Sequence, residues 1–143
     1  MIHTLYSDPF FACFFLFPCH ARQLFVMSAE AWSELGDAAK AAAAWEHCLE
    51  WAQAHLPPND ENEAVYAVHA GVCRLAAAGK GAKSAPGKDD EVKAAALLAR
   101  AREVHEVAHG GGGAWMAIRF RNELLDAKFF PEAAARAWDF LSA

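Results

Sequence analysis

An all-α fold follows from three features of the sequence. Alanine dominates from residue 29 onward, apolar residues recur every three or four positions, and no window alternates with the period of two that a half-buried strand needs. The chain has 143 residues, enough for one domain with a real core. Its 55% hydrophobic residues against 22% charged ones exclude a disordered tail.

Each helix has a local reason. The first spans about Cys19–Glu34 and stops at Leu35-Gly36, a glycine C-terminal signal. The second starts behind Asp37, a good N-cap, and continues to about His55, with Ala41, Trp45, Cys48, Leu49, Ala52 and Leu56 spaced as one buried face. Pro57-Pro58 ends it, because neither proline can donate a hydrogen bond. Asp60 and Glu63 have the spacing of a capping box and open a third helix that reaches Ala78. Residues 79–89 (GKGAKSAPGKD) carry no apolar period and are expected to form an exposed loop, with Lys80, Lys83 and Lys88 solvated. A fourth helix is expected over about 90–109, broken by Gly110–Gly113, and a fifth over about 114–128. Pro131 suits the first turn of a sixth that ends near Leu141. The domain plan is an apolar segment over 1–18 and a helical domain over 19–143.

Acids outnumber bases 18 to 13, net charge −5, and no Lys/Arg run exceeds two residues, so a nucleic-acid partner is not expected. Cys13, Cys19, Cys48 and Cys73 include no Cys-x-x-Cys pair, which points to reduced, packed thiols in an intracellular protein, cytoplasmic or nuclear. Phe10–Phe17 is an apolar run of eight residues, far short of the roughly 20 that span a bilayer, and no Lys or Arg precedes it as in a signal peptide, whereas Asp8 does. It reads as a docking segment, a source of self-association, and a hint that the chain is a fragment of something larger. A membrane partner is not expected.

The second and fourth helices look like copies of one another. At an offset of 53, Asp37, Lys40, Ala41, Ala42, Ala43 and Glu50 meet identical residues at Asp90, Lys93, Ala94, Ala95, Ala96 and Glu103. The buried positions Trp45 and Cys48 meet Leu98 and Ala101. Without the eleven residues 79–89 the offset becomes 42, the length of a helix–turn–helix unit with slightly long helices. About three antiparallel helix pairs, with Trp45 and Leu98 in equivalent slots, would form an α-solenoid.

The run Leu35-Gly36, then Ala38, Ala41, Trp45, Cys48 and Leu49, resembles the second half of a tetratricopeptide (TPR) repeat. The 42-residue spacing resembles the long repeats of kinesin light chains. More specifically, three stretches in order resemble the TPR-like C-terminal region of SET-and-MYND lysine methyltransferases. They are His20–Gly36, Cys48-Leu49 through Leu56-Pro57-Pro58-Asn59-Asp60, and Ala101–Gly110 ending in Val107-Ala108-His109-Gly110, and the resemblance covers roughly residues 18–128. Ala108 replaces that family's usual threonine, Gly111–Gly113 replace a polar turn, and 79–89 is inserted. The MYND zinc cysteines and the SET motifs are absent, so the resemblance implies the helical appendage without its enzyme and without a cofactor. In that family the region covers the substrate cleft of the SET domain and helps choose substrates. The same role is implied here if a catalytic portion lies upstream.

His105-Glu106-Val107-Ala108-His109 is a full HExxH string. Histidines four apart on a helix can both ligate Zn²⁺, and the glutamate between them can act as general base on the bound water. The alternative reading is therefore a small zinc metallopeptidase, with Glu123 or Glu132 as third ligand. Against it, Trp115 stands where a metzincin needs a ligand, and no strand is available to align a substrate. In repeat register His105 matches Ala52 on the packed face, and His109 ends the helix. His47 and Cys48 are helical neighbours about 100° apart and cannot cooperate, and Gly110–Gly113 follows a helix without the lysine of a phosphate loop.

The expected function is therefore a non-catalytic protein-interaction module. Stacked helix pairs line a concave surface with the first helix of each pair. The candidate partner-binding residues there are Arg22, Trp32, Arg74, Arg119 and Asn122, a basic and amide set suited to an acidic peptide.

Overall fold

Glycine, proline and aspartate punctuate the chain into five α-helices among the described residues, which contain no strand. They are α1 Pro18–Glu34, α2 Ala38–His55, α3 Glu61–Ala78, α4 Ala85–His109 and α5 Pro131–Ser142. The computed structural model describes residues 18–79, 85–109 and 128–142, with side chains over 21–79, 88–108 and 128–142. Phe10–Phe17, Gly110–Gly113 and all but the last residue of the helix expected over 114–128 lie outside the described residues.

Local chemistry sets the boundaries. Gly36 adopts φ +77°, its N–H bonds the Ser33 carbonyl at 3.0 Å, and the Asp37 N–H bonds the Trp32 carbonyl at 3.0 Å. Those two bonds are a Schellman stop, and its left-handed residue favours glycine. Asp37 caps α2 through its carboxylate, which accepts the Lys40 N–H at 3.1 Å. The α2–α3 turn passes through Asn59, the one non-glycine residue at positive φ (+60°) among the described residues. Asp60 then caps α3 by accepting the Asn62 N–H at 2.9 Å.

Two expectations need correction. Glu63 does not close a capping box, because its carboxylate is buried and turned to Arg100 on α4 (3.0 Å) and Gln53 on α2 (3.3 Å). A guanidinium offers a charged partner that the Asp60 backbone N–H cannot match. Helix α4 also begins at Ala85 rather than Asp90, with Pro86 in its first turn, where a missing N–H breaks no helical bond. Asp90 is thus inside the helix and does not repeat the cap of Asp37.

Helix α3 is the centre. It packs on α2 and on α4, while α1 packs on α2, and α5 lies against both α3 and α4. A helix covered on several sides must be apolar around its circumference. Accordingly α3 buries Ala64, Tyr66, Ala67, Val68, Ala70, Gly71, Val72, Cys73 and Leu75. Trp45 of α2 stacks on His69 and Tyr66 of α3, with ring centroids at 4.4 and 6.1 Å. Leu98 of α4 meets α3 at Gly71. Positions 69 and 71 are ~200° apart on a helix, so the two side chains reach α3 from opposite sides. Trp45 thus packs on the helix after its own, and Leu98 on the helix before its own. Their burial nevertheless matches, at 7% and 1% exposure. The same register pairs buried Ala41 with Ala94, Cys48 with Ala101 and Ala52 with His105, and exposed Lys40 with Lys93 and Glu50 with Glu103.

Candidate functional site

Two of the basic residues expected to greet a partner, Arg74 and Arg22, make contacts within the protein. Arg74 projects from α3 and donates from Nε and Nη2 to the two carboxylate oxygens of Glu46 on α2, at 2.8 and 2.7 Å. Its Nη1 donates to Asp90 on α4 at 3.0 Å. Hydrogen bonding to Glu46 holds its pKa above the ordinary arginine value against the opposing effect of burial. Arg74 therefore ties three helices together and has no fork left for an incoming carboxylate. Arg22 lies over the Trp51 ring, 5.6 Å from its centroid, and Trp32 carries the Lys40 ammonium at 4.4 Å. Ten residues of α1, roughly 15 Å of rise, separate Arg22 from Trp32. Arg119 and Asn122 lie outside the described residues.

The HExxH string is placed as repeat register predicts. His105 is 2% exposed on the packed face of α4. A peptidase base must face the metal-bound water, but the Glu106 carboxylate accepts the Arg102 Nε–H at 3.1 Å, one turn back along the helix. The His109 side chain and Glu123 lie outside the described residues. Among the described residues no three His, Cys, Asp or Glu are grouped to hold a metal ion. His47 and Cys48 separate as helical neighbours must, the imidazole exposed beside Glu50 (3.7 Å) and the thiol buried. Burial pushes both the Cys48 and the Cys73 thiol up to about 12, so neither is a nucleophile near neutral pH.

A cleft that the sequence did not single out forms where α1, α3 and residues 128–130 converge, with a volume of about 410 Å³. One wall is the last turn and a half of α1, with Glu30, Ser33 and Glu34, and the facing wall is His69, Val72 and Cys73 of α3. Trp45 of α2 lines it behind the His69 ring, to which it is almost parallel (16°). Lys128, Phe129 and Phe130 complete it just before Pro131 starts α5. Ser33 and Cys73 are both buried at the base of the cleft, and Ser33 Oγ donates to the Ala29 carbonyl at 2.9 Å. Phe129 stays 39% exposed at the mouth. Two signals were legible in the sequence: acids four apart on α1, which share a face, and a Phe-Phe pair ahead of a helix-starting proline. Nothing local said that they meet.

No helix among the described residues is long and apolar enough to cross a membrane. Comparison of the chain with protein families, with curated proteins and with solved structures finds no match.

Proposed function

We propose that this chain is a TPR-like protein-interaction module whose binding site is the cleft between α1 and α3. One observation carries this reading. The cleft is walled by the first helices of two successive helix pairs, which is where a stacked helical array presents its concave surface. Its size falls within the range of small-ligand pockets, and its walls combine aromatic rings with a few charged groups, as binding sites do. A peptide side chain fits such a space.

The finer reading is that the module corresponds to the C-terminal helical region of a SET-and-MYND lysine methyltransferase, and acts there by guiding protein substrates. The matched burial of α2 and α4 at an offset of 53, and the Leu56-Pro57-Pro58-Asn59-Asp60 turn between α2 and α3, support it. Sequencing the transcript upstream of Met1 tests it: a SET core with zinc-binding cysteine pairs is expected, and a non-coding upstream region removes the methyltransferase connection.

Selection of peptides from a random displayed library on the immobilised chain tests the module itself. A defined peptide class is expected on the native chain and lost on Phe129→Ala, which removes a half-exposed ring. Recovery of no class above a blank surface, or of binders indifferent to Phe129, overturns the reading.

A further inference from the structure

The arginines of this protein are paired with acids, with one exception among the described side chains. Arg74, Arg100, Arg102 and Arg136 each hold a carboxylate within 3.1 Å. Arg22, half-buried on α1, holds none among the described residues. Lys88 and Lys128 also lack an acid there, but they stand exposed, where water solvates an ammonium. The Arg22 guanidinium lies over the Trp51 ring of α2, 5.6 Å from its centre, near the outer limit of about 6 Å for such a contact. A ring face offers no oxygen, so the N–H donors of the fork meet no acceptor among the described residues. Trp51 itself is 9% exposed, and its indole Nε1 is buried with no hydrogen-bond partner. Such a donor is costly until an acceptor reaches it. Tyr66 of α3 is the third group, buried, with no hydrogen bond from its hydroxyl to a described residue. Burial raises its pKa and the Arg22 charge partly offsets that rise, so the hydroxyl keeps its proton near neutral pH within range of the guanidinium. We propose that Arg22, Trp51 and Tyr66 form a binding site for a peptide carboxylate.

The guanidinium and the indole N–H can only donate, and the protonated phenol donates as well, so what the group lacks is an anion. The fork of Arg22 matches the two oxygens of a carboxylate. Two hydrogen bonds of about 2.9 Å and the width of a carboxylate together span roughly 8 Å, enough to bridge the fork and the N–H. The long Arg22 side chain covers the ring, and by swinging with its ligand it opens the way to the N–H. A single cation on a chain of net charge −5 suits one carboxylate and repels a polyanion. This inference rests on the interaction-module reading, from which it takes the peptide. Helices α1 and α3, which carry Arg22 and Tyr66, also wall the cleft. From Arg22 to Glu30 α1 rises about 12 Å. An extended peptide covers that distance in about four residues, which separates its carboxylate from the side chain that fills the cleft.

The test reads the indole N–H signals of the five tryptophans in ¹H–¹⁵N correlation spectra of the full chain, with Trp51→Phe assigning the Trp51 signal by its loss. The probes are three acetylated peptides: Phe-Gly-Gly-Gly-Glu-Gly amide, Phe-Gly-Gly-Gly-Gln-Gly amide, and Phe-Gly-Gly-Gly-Gly with a free C-terminus. A peptide with a carboxylate is expected to shift the Trp51 signal saturably, binding at least about tenfold more tightly than the glutamine amide. A shift with the glutamate peptide alone assigns an acidic side chain, and with the free acid alone a C-terminus. Arg22→Gln is expected to weaken that binding about tenfold and Tyr66→Phe about threefold, with the remaining indole signals in place as the check on folding. A Trp51 signal moved by neither carboxylate, moved equally by the glutamine amide, or moved unchanged in Arg22→Gln overturns the inference. If that signal stays still while library selection yields peptides that depend on Phe129, the carboxylate site falls and the module stands. If it moves but selection yields no peptide class, the site stands and the module reading falls.

Discussion

Gly71 and Leu98 lie so close that a Cβ built at position 71 would stand 2.9 Å from both Cγ and Cδ2 of Leu98. This contact sets how near α3 and α4 approach, since Leu98 is 1% exposed and has little room to turn aside. Gly71 sits inside α3, where alanine would favour the helix by up to about 1 kcal/mol. Overpacking costs about 1–3 kcal/mol, and with a branched carbon rather than only a terminal methyl in the way, the clash wins. Gly71→Ala is expected to destabilise by about 1–2 kcal/mol in urea unfolding. Combining it with Leu98→Ala should cost less than the two separate losses added together. Strict additivity would show that the helices are not held apart by this pair.

Arg74 makes a second kind of junction, charged rather than apolar. With the side chains of Arg74, Glu46 and Asp90 each under a third exposed, water screens the network incompletely. Arg74→Ala leaves two carboxylates facing each other without a cation, and about 2 kcal/mol of stability should be lost. Arg74→Lys keeps the charge but cannot serve Glu46 through two nitrogens while reaching Asp90, so about half that loss is expected. Denaturant midpoints for the two variants give the comparison. Full retention by lysine would mean that charge alone, not the fork, joins α2, α3 and α4.

The buried thiols give the protein an alkaline limit. Burial raises Cys48 and Cys73 from 9.0 to about 12, and burial likewise raises Tyr66 from 10.0. Below pH 9 both folded and unfolded chains keep the thiol protons, and the stabilisation is fully present. Between pH 9 and about 12 the unfolded chain releases protons that the folded chain retains, so stability falls as pH rises. Melting temperatures measured from pH 7 to 11 should therefore decline above 9, more gently in Cys48→Ala than in the native chain. In the folded protein at pH 8 these two thiols should resist iodoacetamide, and in urea they should react.

Asn59 shows what a turn motif can and cannot say. Its φ of +60° is costly for most L residues, but asparagine tolerates it. Asn59→Gly should leave stability within about 0.5 kcal/mol of native, whereas Asn59→Val should lose about 1–2 kcal/mol. Loss on both changes would transfer the importance from the backbone to the side chain.

The parts of the fold legible in the sequence were those decided within a few residues. Gly36, Asp37, Pro57-Pro58, Asp60 and Pro131 each act on their own neighbourhood, and the helices begin or end beside them. Pro86-Gly87 misled because the pair has the composition of a loop while proline is also tolerated in a first helical turn. Contacts across the chain were less legible. The repeat register marked Trp45, Leu98 and His105 as buried, but not that Trp45 and Leu98 would flank the same helix. Arg74 read as a surface cation because its partners lie 28 and 16 positions away. The cleft was missed for the same reason: Glu30, His69 and Phe129 are far apart along the chain, and only packing makes them neighbours.

Glu63 and Arg100 extend that lesson to an unequal pair. The Glu63 side chain is 5% exposed and the Arg100 side chain 38%, with Nη2 at 3.0 Å from the carboxylate. Removing the two partners should therefore have different consequences. With Glu63→Gln, a neutral amide takes the buried position, still able to accept from Arg100, while the guanidinium keeps its second partner Glu103 at 3.2 Å. A loss of about 1 kcal/mol is expected. With Arg100→Ala, a buried carboxylate keeps only the Gln53 amide, at 3.3 Å, and about 3 kcal/mol should be lost. Adding Glu63→Gln to Arg100→Ala removes the stranded charge and should restore part of that loss. Urea unfolding of the two single variants and the double variant measures all three terms. A double variant no more stable than Arg100→Ala would show that the guanidinium matters through its packed stem rather than through its charge.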